Sequence, residues 1–117
     1  MSGAPPTLSV IIPVLDEAPR IASLIAAIRA QDRHCEIVVV DGGSTDGTAE
    51  AAALAGARVL ESSRGRGQQI AAGATAASGD ILFFLHADSR LPGGALAAIR
   101  GACAERPGAQ GGNFRLL

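Results

Sequence analysis

His86 and Asp88 end the segment ILFFLHAD, whose five apolar residues Ile81 to Leu85 read as a buried strand bounded by Gly79-Asp80. Ligands of open α/β sheets bind at the carboxyl ends of the strands, so both side chains are delivered where a ligand would arrive. One carboxylate together with ligand phosphates is an ordinary way to hold Mg²⁺ or Mn²⁺. Asp88 is therefore the candidate metal ligand, with His86 as the alternative. A lone histidine is more often a satisfied structural residue. Two histidines, with His34 in an exposed Asp-Arg-His turn, assemble no nucleophilic triad.

Three further segments carry polar groups to the same edge. PVLDE, from Pro13 to Glu17, holds two acids that could accept from a ligand or favour the positive start of a helix, and the residues alone favour the helix. DGGSTDG, from Asp41 to Gly47, sets a carboxylate directly after an apolar run, where it could accept from a ribose hydroxyl or a base N–H. Gly42 and Gly43 permit close backbone approach, and Ser44 and Asp46 suit helix capping. A tight strand-to-helix turn explains Ser44, Asp46 and Gly47 but not an acid at 41. SRGRGQQ, from Ser63 to Gln69, lacks the GxGxxG spacing and the P-loop lysine. Arginines between glycines before a helix could still contact a diphosphate, although a solvated loop explains them equally. Gln68 and Gln69 fit surface helix positions.

The elements that must position these groups follow from pattern. Strands are expected over Leu8 to Ile12, with Pro13 ending the ladder, and over Glu36 to Val40, Ala57 to Glu61 and Ile81 to Leu85. Ile21, Leu24, Ile25 and Ile28 fall at i, i+3, i+4 and i+7 of a helix that Pro19 opens. Further helices are expected over Thr48 to Leu54, capped by Gly56, and over Gln68 to Ser78. Leu96, Ile99 and Cys103 give a last helical face before Arg106-Pro107-Gly108. Four strand–helix alternations predict an α/β fold with a mostly parallel sheet and helices on both faces.

At 117 residues and 11.7 kDa the chain is one small domain or part of one; it ends on GGNFRLL, which reads as a strand beginning and suggests a fragment. A net charge of −1, with no basic cluster and no aromatic platform, gives no case for nucleic acid. Cys35 and Cys103 make neither a disulfide framework nor a zinc module, which makes a reducing cytoplasm the simplest compartment. No signal peptide or membrane span is visible in this segment.

SVIIPVLDE, EIVVVDGGSTDGT, a Gly-Arg loop and GDILFFLHADSRLP together resemble the inverting family 2 glycosyltransferases of the GT-A (Rossmann-like) fold, over about Leu8 to Pro92. The HAD form and the GRGQQ loop look closest to a bacterial subgroup associated with arsenosugar biosynthesis. The resemblance implies the donor-binding half of such an enzyme, spanning residues 1–117, with a nucleotide-diphosphate sugar as donor and Mg²⁺ or Mn²⁺ as cofactor. It implies that Pro13, Leu15 and Glu17 border the nucleoside, Asp41 accepts from the base with Gly42 beside it in the nucleotide-sugar site, and Arg66 lies near the diphosphate. His86-Ala87-Asp88 takes the place of the DxD motif, with Asp88 on the metal and a histidine where the family's first acid stands. Asp16 stands where the family commonly has Asn. The catalytic base and the acceptor site are expected beyond Leu117. The competing expectations are a non-catalytic, dimerising nucleotide-binding module and a sugar nucleotidyltransferase. The latter wants a Gly-rich basic loop after the first strand, which PVLDEAPR does not supply.

Overall fold

Strands and helices alternate along the chain in a computed structural model that describes residues 6–104 and 113–115. The order is β1 (Leu8–Val14), α1 (Ala18–Gln31), β2 (Glu36–Asp41), α2 (Thr48–Leu54), β3 (Arg58–Glu61), α3 (Arg66–Ala76), β4 (Ile81–Phe84), α4 (Ala95–Ala104) and β5 (Asn113–Arg115). All described strand pairs are parallel and the sheet runs β3-β2-β1-β4-β5. The α/β class with a helix-flanked parallel sheet is the one the pattern predicts. The chain steps outward from β1 to β3 and then returns to the other side of β1. That reversal opens a crevice above the carboxyl ends of β1 and β4, where ligands of such sheets bind.

Alternate residues of β1 serve opposite faces. Val10, Ile12 and Val14 join the layer of Ile21, Leu24, Ile25 and Ile28 from α1, while Ile11 packs with Val38, Val40 and Phe84 beneath α3. Burial on both sides is why these strands are apolar at every position. On the α3 side the fit is close: a Cβ on Gly73 would lie 2.5 Å from Ile11 Cγ2 and 3.0 Å from Val40 Cγ2.

Several boundaries differ from the sequence reading, each for a local reason. β1 continues through Pro13 to Val14, because Pro13 still pairs with Val40 on the β2 side. Toward β4 the ladder does stop: the Leu85 N–H donates to the Ile11 carbonyl at 3.0 Å, and the next bond would need the N–H that Pro13 lacks. β2 runs one residue further, so Asp41 is its last residue. α3 starts at Arg66, two residues earlier than expected, and β3 starts at Arg58. α2 matches its expected bounds, and a short strand does form within the terminal GGNFRLL. The Cys103 side chain and the Arg106-Pro107-Gly108 break lie outside the described residues.

The amino ends of the strands are tied by a polar network. Glu36 Oε1 accepts from the Ser9 hydroxyl at 2.7 Å and the Ser78 N–H at 2.9 Å, and the Gly79 N–H donates to Ser9 Oγ at 2.8 Å. Arg100 bridges Asp32, to which its Nε donates at 2.8 Å, and the Pro6 carbonyl. Among the described residues no helix is long and apolar enough to cross a membrane.

Candidate functional site at the β1–β4 crevice

The loop after β1 is built on the loop after β2. Asp16 takes a left-handed conformation, φ 55°, which short polar side chains tolerate better than most. Its N–H donates to Ser44 Oγ at 2.8 Å and its Oδ1 accepts from the Thr45 N–H at 2.8 Å. The start of α1 is served from the same loop: the Glu17 N–H donates to Thr48 Oγ1 at 2.9 Å and the Ala18 N–H to Asp46 Oδ2 at 3.2 Å. Asp46 also accepts from the Thr48 hydroxyl and N–H. The Thr48 hydroxyl is the largest influence holding its carboxyl below the usual range, opposed by desolvation and aided by the Ala18 and Thr48 N–H groups. Glu17 makes no side-chain cap; its carboxylate instead receives Arg20 Nη1 at 2.9 Å.

A hollow of about 340 Å³ opens at this edge. Pro13 to Leu15 and Glu17 form one wall, His86 to Asp88 the other, and Arg66 and Gln69 reach in from the start of α3. Arg66 and Asp88 are exposed, while Glu17 and His86 are half-buried. A second hollow, of about 310 Å³, lies across Ala87 and Asp88 and includes Arg20 and Arg90. Of the residues the sequence singled out, Pro13, Leu15, Glu17, Arg66, His86, Ala87 and Asp88 are brought together.

Asp41 and Gly42 are not in that lining. Asp41 is nearly fully buried, and its Oδ1 accepts from the Gly43 N–H at 3.2 Å and from the Ser44 N–H and hydroxyl at 2.9 and 2.6 Å. The acid at 41 thus shapes its own loop, which the capping reading of Ser44 did not anticipate. Gly42 is small for a protein-internal reason: a Cβ there would lie 2.9 Å from Gln69 Cδ and Oε1.

Gln69 is the residue that sequence reasoning missed. It is buried rather than on a surface face, and its Nε2 donates at 2.9 Å to the carbonyls of both Val14 and Val40. Its Oε1 accepts from the Gly65 N–H at 3.2 Å. The spacing of four among Gly65, Gln69 and Gly73 was the available signal, since it puts all three along one side of α3.

The donor set bears on a divalent cation. Among the described residues no group of three or more His, Cys, Asp and Glu side chains could hold a metal. One exposed carboxylate on the wall of an arginine-containing hollow fits a cation whose remaining ligands come from phosphates and water, the usual arrangement for Mg²⁺.

Known proteins share this framework. Residues 9–112 match the family described as Glycosyl transferase family 2. The glucosyl-3-phosphoglycerate synthase of Mycolicibacterium paratuberculosis is 36% identical over 93 residues, covering 70% of this chain and 28% of that protein. A crystal structure of a mycobacterial protein superposes with a TM-score of 0.77 at 31% identity, covering 88% of this chain and 38% of that one. The Mycobacterium tuberculosis glucosyl-3-phosphoglycerate synthase in complex with Mn²⁺, UDP-glucose and phosphoglyceric acid gives 0.68 at 33% identity, covering 80% and 37%. The chain spans less than a third of the length of that curated relative.

Proposed function

The chain belongs to glycosyl transferase family 2, and from that premise we propose that residues 1–117 form the donor-binding half of a metal-assisted, inverting sugar transferase. One observation carries the reading: Glu17, Arg66 and Asp88, from the segments that follow β1, β3 and β4, line one hollow at the switch point of the sheet. Pro13 and Leu15 would border the nucleoside. Asp41 and Gly42 lie outside the hollow and serve it through the loop they shape.

Arg66 would offer the diphosphate charge-assisted hydrogen bonds from the first turn of α3, where the helix dipole also favours an anion. Asp88, with His86 beside it, would hold Mg²⁺ or Mn²⁺. The cation, when bound, supplies charge neutralisation for the departing diphosphate. In this reading the base that deprotonates the acceptor hydroxyl is not among the groups lining the hollow.

The donor class is a nucleoside-diphosphate sugar, supported by the UDP-glucose complex of a similar structure. For the acceptor, the HAD and GRGQQ blocks resemble a subgroup associated with arsenosugar biosynthesis and name no acceptor, whereas the named relatives are glucosyl-3-phosphoglycerate synthases, one of them in complex with phosphoglyceric acid. Phosphoglycerate is the acceptor to test first. Calorimetric titration of UDP with and without Mn²⁺ tests the donor reading. Saturable binding that requires Mn²⁺ and is lost in a folded Asp88→Ala variant is expected. Absence of binding, or an Asp88→Ala variant that binds like the native chain, would sink it.

A further inference from the structure

We propose that Gln69 is the positioning residue of this site, its carboxamide setting how Arg66 is presented to a diphosphate; the claim rests on the donor-binding reading above. Gly65, the residue before Arg66, is held at both its peptide groups by Gln69. Its N–H donates to Gln69 Oε1 at 3.2 Å, and its carbonyl accepts from the Gln69 N–H at 2.9 Å. Packing does not fix Gly65, since a Cβ there would meet nothing within 4 Å, and its φ of 138° is open to glycine. The two bonds to Gln69 are what hold the turn.

The other end of the carboxamide is anchored on the sheet, through Val14 and Val40. Val14 does not need this bond, because its carbonyl already accepts from the Gly42 N–H at 3.1 Å. A buried amide is costly unless its partners are in place, so a core filler at 69 would be better served by leucine. The polar choice gives direction. It ties the Arg66 turn to the ends of β1 and β2, the strands whose loops carry Glu17 and the Asp41 turn.

A double-mutant cycle on UDP binding with Mn²⁺ separates positioning from plain stability. Gln69→Leu is expected to weaken UDP about tenfold when Arg66 is present and less than about twofold in an Arg66→Ala background. Equal losses in both backgrounds, or no loss in either, overturn the proposal. A second readout needs no nucleotide: exchange of the Gly65 amide, followed by NMR, should accelerate at least about tenfold in Gln69→Leu while the β4 amides stay protected. Unchanged Gly65 exchange overturns the clamp whatever the nucleotide does. Failure of the native chain to bind UDP, with Gly65 exchange accelerated in the variant, defeats the donor reading alone. If Gln69→Leu does not fold, Gln69→Glu serves, since it keeps the acceptor for Gly65 but has a donor only when protonated. Its UDP affinity relative to the native chain should recover as pH is lowered, and a ratio independent of pH counts against the proposal.

Discussion

The Asp16 N–H donates to the Ser44 hydroxyl at 2.8 Å, joining two loops 28 residues apart in the chain. The Asp16 carboxylate returns the contact to the Thr45 N–H at 2.8 Å, so the loops after β1 and β2 behave as one body. Ser44→Ala, which also removes the Asp41 contact, is expected to cost about 1–3 kcal/mol in urea unfolding. Asp16→Asn keeps the acceptor and the tolerance of positive φ, and should stay within about 0.5 kcal/mol. Asp16→Val meets both penalties and should cost on the order of 2 kcal/mol or more.

Gly73 and Gly67 lie on the same helix and should respond in opposite directions. A methyl group at 73 runs into Ile11 and Val40, so Gly73→Ala is expected to destabilise by about 1–3 kcal/mol. At 67 a Cβ meets nothing within 4 Å, and Gly67→Ala should stabilise by up to about 1 kcal/mol through the helix alone. Thermal unfolding of the two variants side by side decides it.

The Glu36 network makes stability pH-dependent. Desolvation alone would raise this carboxyl, but the Ser78 N–H, the Ser9 and Ser78 hydroxyls and Arg58 outweigh it and hold it below its ordinary value. The folded chain therefore binds that proton less firmly than the unfolded chain. The stabilisation is complete above the unfolded carboxyl range, at about pH 5 and upward, and is lost as pH falls through the lower folded value. Glu36→Gln should show a shallower loss of stability between about pH 5 and 3 than the native chain, measured by denaturant unfolding at each pH.

Arg66→Ala should weaken UDP by about 10- to 100-fold while changing uridine affinity little, because the guanidinium addresses only the phosphates. The loss should shrink as salt is raised. Equal losses for uridine and UDP in calorimetry would place Arg66 elsewhere.

How far the residues reveal the outcome depends on whether the signal is local. The face of Ile21, Leu24, Ile25 and Ile28 is buried as its period demands, and the continuous apolar runs of β1 and β2 do sit between two helical layers. The hollow was legible in the same way: each loop follows a strand, and parallel strands deliver their ends to one edge. What was not legible is where side chains turn once they arrive. Asp41 folds back on Ser44, and Gln69 goes under the loops it resembles on composition. The Gln69 contacts depend on partners 55 and 29 residues away that the sheet brings together, separations no helical or strand period encodes, whereas the Asp41–Ser44 contact is a local turn three residues long.

Pro13 has a consequence for the mouth of the hollow. Pairing between β1 and β4 advances like a zip, and the carbonyl of Leu85 would be its next tooth. The residue opposite carries a ring carbon where the hydrogen should be, so the zip jams one step short of His86. The pairing of the two strands therefore ends beside the hollow that Pro13, His86, Ala87 and Asp88 line, for want of one hydrogen atom.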